Sequence, residues 1–254
     1  MDNSILLFVI PLAFICEFID SSLGMGYGTS LTPILLLMGF EPLQVVPAVL
    51  FSEFISGGTA AFLHHKVQNV NFHPSSKDTH VALILSIFAV IGTVIAVLLA
   101  VKLPGQILKI LIGIIVLSMG IFILVTFNHP PRFTWRKITI IGTIASFNKG
   151  MSGGGYGPLV MGGQILSGIG VKNAIGITSL SESVTCLVGI ILYFFLIPYI
   201  DWTLTLCLTI GSIISVPLAV HTVKKLTERK VKVAIAIVMI ILGCLTLGKM
   251  LISL

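Results

Sequence analysis

"DSSLGMGYGT" runs from Asp20 to Thr29, and "KGMSGGGYGP" runs from Lys149 to Pro158. The two stretches stand 129 positions apart, each a glycine-rich break in a chain that is otherwise mostly apolar. Setting Gly26-Tyr27-Gly28 on Gly155-Tyr156-Gly157 holds the register without a gap. Gly24 then falls on Gly153, Leu37 on Leu166, Gly39 on Gly168, and Ser52-Glu53 on Ser181-Glu182, which makes eight identities over Leu23 to Glu53. All but the Leu37–Leu166 match fall on punctuating and polar residues, which marks an internal repeat with halves 1–127 and 128–254.

The surroundings of these breaks set the class. The 254 residues are 56% hydrophobic and 9% charged. A soluble domain carries about 25% charged residues, so this chain cannot cover a water-facing surface. Val81 to Val101 is 21 residues without a charge, and Ile110 to Phe127 and Thr203 to Val220 are 18 each. A spanning helix needs roughly 17–25 apolar residues. The alternation of a membrane barrel is absent. The expected fold class is therefore an all-α integral membrane protein. The net charge of +6 sits in short loops between apolar runs, where the positive-inside rule places it, so no nucleic-acid partner is expected. The opening "MDNS" has no basic residue before the first apolar run, so no signal peptide is expected. Cys16, Cys186, Cys207 and Cys244 lie far apart in apolar runs and read as packing residues.

Apolar segments are expected at about 4–19, 29–38, 43–63, 80–101, 106–127, 135–147, 158–166, 172–197, 202–221 and 232–252. The second and seventh have about ten residues, or ~15 Å of helix, against a hydrocarbon core of about 30 Å. Each reads as half of a broken helix or re-entrant hairpin hinged at a glycine-rich stretch. Irregular backbone at membrane depth is tolerated only inside protein or beside a polar cavity. Each half has five segments if the short ones cross, and three if they turn back. Both counts are odd, so the second half begins on the opposite side and the repeat has inverted topology. The basic loops 66–77, 132–137 and 224–232 share one face, assigned to the cytoplasm of a multi-pass cell-membrane protein with both termini extracytoplasmic.

Inverted repeats with broken helices are the pattern of secondary transporters, whose substrates bind where the broken segments meet. Glycines let the backbone turn and approach a ligand, and the helix that follows presents free N–H groups and a positive dipole end to an anion. Gly24, Gly26, Tyr27 and Gly28 with Gly153, Gly155, Tyr156 and Gly157 form the candidate substrate cradle. The competing reading is that these glycines only permit close helix packing. Lys149 would add positive charge, and its repeat mate Asp20 is placed to form an ion pair with it across the pseudo-twofold. Glu53 and Glu182 are mates about ten residues into long apolar helices, and an intramembrane acid suggests function. They are the candidate proton carriers, supported by Ser52 and Ser181. Glu17 aligns with Ser146 and is the weaker candidate. His64, His65, His73 and His80 lack a metal-ligand spacing and read as a solvated interfacial cluster, so no metal and no cofactor is expected. The "GYG" triplets lack the preceding Thr-Val of potassium filters. No strand precedes the glycines as a dinucleotide fingerprint requires, and no hydrolase pattern stands out, so an enzyme is not expected.

"LGMGYGTSLTPILLLMGFEPLQVVPAVLFSE" and "SGGGYGPLVMGGQILSGIGVKNAIGITSLSE" resemble the repeated element of the sulfite exporter TauE/SafE family of permeases. The element is a glycine-rich turn, a short apolar helix ending at Gly, then a helix opening with small and hydroxyl residues. The resemblance extends over the whole chain. It implies transport, often export, of sulfur-containing anions such as sulfite or organosulfonates, driven by a proton or cation gradient. Asp20-Ser21-Ser22 departs from the family's more glycine-rich first turn. The alternatives are an ion channel with re-entrant GYG loops and a cation or metal carrier that uses the intramembrane glutamates. A bundle of this size is compatible with a homodimer.

Overall fold

A computed structural model describes residues 3–126, 134–223 and 228–252 of the chain. They form ten helices and no strand. These are α1 (Asn3–Leu23), α2 (Tyr27–Leu37), α3 (Pro42–Lys66), α4 (Lys77–Ala100), α5 (Gly105–Thr126), α6 (Trp135–Ser152), α7 (Tyr156–Leu166), α8 (Val171–Leu196), α9 (Trp202–Thr222) and α10 (Glu228–Ile252). Among the described residues α3, α4, α5, α8 and α9 are each long and apolar enough to cross a bilayer. The outward faces of α4 and α9 carry exposed Leu83, Ile87, Ile91, Leu206, Ile210 and Ile214. Side chains of that kind belong against lipid. Half-exposed Trp135 and Trp202 open α6 and α9, as interfacial anchors do. The expected boundary between halves lies in 127–133, outside the described residues, as do 132–133 and 224–227 of the expected basic loops 132–137 and 224–232.

Local chemistry sets the ends. Glu41 and Gln44 form a reciprocal capping box at the start of α3, with Pro42 at the first helical position. Ser76 caps α4 by accepting the Thr79 N–H at 3.1 Å, and Asp201 caps α9 by accepting the Leu204 N–H at 3.0 Å. The helices flanking the glycine breaks are longer than the sequence suggests. α1 runs on to Leu23 and α6 to Ser152, which puts Asp20 and Lys149 on the last helical turns rather than in loops. Their serines do not break the helix because the hydroxyls bond backward: Ser22 to the Phe18 carbonyl at 2.6 Å and Ser152 to the Asn148 carbonyl at 2.8 Å.

The interior is built on pairs of elements. α1 packs on α9 and α4 on α6; α3 on α9 and α4 on α8; α5 on α10 and α3 on α8. Adding five to each helix number of the first half returns the same set of pairs. α3 and α8 cross antiparallel: Leu50 faces Gly189, Ser183 donates to the Phe54 carbonyl at 2.8 Å, and Gly57 faces Ser179. α4 and α6 run parallel, with Leu85 beside Gly142, Gly92 beside Ser146, and Ala96 beside Gly150. Every described glycine with positive φ also falls into a pair 129 positions apart: Gly24 at 72° with Gly153 at 71°, Gly26 at 135° with Gly155 at 80°, and Gly39 at 102° with Gly168 at 76°.

Candidate functional site

The two glycine breaks meet each other. A Cβ on Gly28 would land inside the Gly153 carbonyl, and one on Gly157 would lie 2.6 Å from the Gly24 carbonyl oxygen. A Cβ on Gly154 would lie 2.6 Å from the Thr29 nitrogen. The Gly155 N–H donates to Thr29 Oγ1 at 3.1 Å. These glycines therefore do serve close backbone packing, and the two turns touch without an intervening gap. Tyr27 and Tyr156 are fully buried behind the turns. The Tyr27 hydroxyl bonds Ser52 Oγ at 2.7 Å, and Ser52 donates to the Val49 carbonyl at 3.0 Å. Tyr156 faces Ser181 and Thr185, its hydroxyl short of a well-formed hydrogen bond. Ser181 instead donates to the Ile177 carbonyl at 2.9 Å. Tyr27 thus holds the start of α2 beside the residue preceding Glu53, halfway along α3.

Lys149 lies fully buried at the centre. Its ammonium bonds Glu53 Oε2 in a short ion pair and Glu182 Oε1 at 2.9 Å. One cation from α6 therefore joins two glutamates 129 positions apart, on α3 and α8, where those helices cross. This differs from the expected partner. Among the described residues the ion pairs of Lys149 go to Glu53 and Glu182, and Asp20 turns to the backbone, accepting the Tyr27 N–H at 3.2 Å. The cause is register: Asp20 lies seven residues before the first N–H of α2, and that donor end attracts its carboxylate. The positive end of α2 therefore already faces an acid. At α7 the equivalent position holds a cation, so the two helix ends differ electrically.

Asp20, Glu53 and Glu182 each present a carboxylate oxygen within 4.8 Å of the others, and all three are buried. The second oxygen of Glu53, Oε1, has no hydrogen-bond partner. Glu17, also buried, accepts from Ser21 Oγ at 2.5 Å and Ser56 Oγ at 2.9 Å. Glu17, Asp20, Glu53 and Glu182 thus share this part of the interior with Lys149. Like charges so close in a medium that excludes water cannot all be ionised without counter-charge, so the group is suited to holding protons or exchanging partners.

Two residues depart from their expected places. His64 is fully buried, whereas His73 and His80 are exposed. Its signal was spacing: Glu53, Ser56, Ala60 and His64 recur at three or four residues and form the buried stripe of α3. Glu17 accepts from Ser21 one turn on in α1, and gains a second donor, Ser56, that only the meeting of α1 with α3 supplies.

A helical bundle of this kind, apolar on its outside and ionisable at its centre, has the form of a multi-pass membrane transporter. The sulfite exporter TauE/SafE family model matches residues 9–246, and the chain belongs to that family. The chain is 26% identical over 255 residues to the probable membrane transporter protein YtnM of Bacillus subtilis (strain 168), covering 93% of this chain and 80% of the relative. It is 28% identical over 181 residues to the probable membrane transporter protein ORF9 of Sinorhizobium sp, covering 67% and 65%. It is 23% identical over 255 residues to the probable membrane transporter protein MJ0441 of Methanocaldococcus jannaschii, covering 92% of each. No solved structure matches the chain.

Proposed function

We propose that the protein is a secondary-active transporter, an exporter, of a small sulfur-containing anion such as sulfite or an organosulfonate. The observation that carries this reading is the fully buried Lys149 held between Glu53 and Glu182 beside the touching glycine turns. A fixed cation with two removable acid partners is a proton-coupled anion site. Proton uptake on the glutamates weakens their hold on the ammonium, which then binds an anion between the parted turns at Gly24, Gly26, Tyr27, Gly28, Gly153, Gly155, Tyr156 and Gly157. Proton loss restores the ion pairs and expels the anion. Ser52 and Ser181 steady the helices that bear the acids. The symmetric helix pairing, the antiparallel crossing of α3 and α8 and the paired positive-φ glycines support two inverted repeats working by alternating access. The basic loops support a location in the cell membrane with both termini outside.

A cation carrier is the second reading, favoured by the three clustered carboxylates. The lysine in their midst opposes it. Thermal stability of detergent-purified protein against sulfite, thiosulfate, sulfate, taurine, sulfoacetate and simple metal cations separates the two, because a ligand of the folded state raises stability with the logarithm of its concentration over Kd. Stabilisation by a sulfur anion, lost in Lys149→Ala, is expected. Stabilisation by cations alone would overturn the anion reading.

A further inference from the structure

The last turn of an α-helix leaves carbonyls without intrahelical partners, and where that turn is buried something must bond them. At the end of α1 the Ser21 carbonyl accepts from His64 Nε2 at 2.9 Å. At the end of α6 the Gly150 carbonyl accepts from the Tyr193 hydroxyl at 2.9 Å. Ser21 and Gly150 are 129 positions apart, and so are His64 and Tyr193. The same bond therefore recurs in each half, made by different chemistry. Both side chains are fully buried, each in the last turn of its helix, α3 or α8. The His64 ring is further fixed by Asn69, whose Nδ2 donates to Nδ1 at 3.0 Å.

Each bond holds the residue next to a charged group: Ser21 follows Asp20, and Gly150 follows Lys149. Each also sits ten residues beyond the Phe54–Ser183 crossing, about 15 Å along its helix at 1.5 Å per residue. Because α3 and α8 run antiparallel, the two bonds lie toward opposite ends of the bundle. His64 is beside residues 67–76, and Tyr193 is beside residues 197–201.

We infer that His64 and Tyr193 are positioning residues that latch the broken ends of α1 and α6, each closing the path from the central cluster to one membrane face. Releasing the His64 latch frees the Asp20-bearing end and opens the face of residues 67–76. Releasing the Tyr193 latch frees the Lys149-bearing end and opens the opposite face. Both latches are closed in this structure, in keeping with the touching glycine turns. The inference rests on the alternating-access reading above, but its test needs no transported substrate.

The native Cys186 lies one turn beyond Glu182 on α8 and is buried, so it reports access to the centre. With Cys16, Cys207 and Cys244 replaced by Ala, its labelling by a membrane-impermeant methanethiosulfonate sulfonate is timed from each side of oriented vesicles. Tyr193→Phe, which removes only the hydroxyl, is expected to speed labelling from the face of residues 197–201. The gain should be roughly three- to tenfold, the population shift that losing one hydrogen bond produces. His64→Leu should do the same from the face of residues 67–76, and His64→Gln, which keeps an N–H donor, should return toward the parent rate. A rise of equal size from both faces, or no rise in either variant, would reduce the two bonds to helix caps and overturn the latches. If His64→Leu does not fold, Tyr193→Phe decides alone by the same criterion. Lost face specificity in a protein still stabilised by a sulfur anion would sink the latches and leave the transport reading standing; the reverse pattern would do the opposite.

Discussion

Lys149 is the residue on which the interior depends. Moving an ammonium or a carboxylate out of water costs several kcal/mol per ion after relaxation, and only close partners offset it. Lys149 has two such partners, and each glutamate shares the same lysine. Lys149→Ala should therefore destabilise the protein by about 3–5 kcal/mol, the loss typical when one member of a buried pair is removed. Adding Glu53→Gln and Glu182→Gln to it should recover much of that loss, as read by thermal unfolding in detergent. Failure of the triple variant to recover would mean that packing, not charge, is what the lysine supplies. The double variant Glu53→Gln plus Glu182→Gln tests coupling. In the parent, anion binding should strengthen as pH falls, because proton uptake releases Lys149. In the double variant that dependence should flatten while the protein remains folded, and an unchanged pH profile of uptake into proteoliposomes would remove the glutamates from the mechanism. The residues of this cluster were legible from their charge in an apolar setting. Their pairing was not: the repeat put Asp20 opposite Lys149, yet the backbone donor of Tyr27 competes for that carboxylate.

At the scale of elements, the glycine breaks are two different devices. Gly28, Gly154 and Gly157 are small because another backbone fills the space a side chain would occupy. Gly39 and Gly168 have no atom within 4 Å of a built Cβ and instead supply positive φ after the short helices. The two roles predict different costs. Gly39→Ala should lose about 1–2 kcal/mol, the strain of a left-handed residue with a Cβ. Gly28→Ala should lose more, because the Cβ would force α2 away from the turn of the other half. It should also slow transport, since that contact must close in every cycle. Equal losses in thermal unfolding would show that the turns do not pack on each other. The sequence exposed both breaks by composition alone, but it ended the preceding helices too early. In a buried helix end the serine hydroxyls bond back to carbonyls and the helix continues up to the glycines.

For the whole molecule, the pairing of helices sets which ends share a face. α4 and α6 run parallel, so their starts lie together, beside residues 67–76. Epitope tags at both termini should be reached by antibody on intact cells, and a tag within 67–76 only after permeabilisation. A reversed pattern would invert the assigned orientation without disturbing the fold.

The sequence alone determined the solvent, the helical class and the positions of the breaks, because each follows from local quantities: hydropathy over a span, charge density, and the conformational freedom of glycine. It also offered a register that pairs residues 129 positions apart, since a register needs no geometry. Only the tertiary structure decided who touches whom. It placed Lys149 between Glu53 and Glu182, turned Asp20 to the end of α2, and buried His64 against the end of α1. Those choices depend on how α1, α3, α6 and α8 cross, and several partners compete for each buried charge within a few ångströms. Nothing local in the chain ranks such competitors.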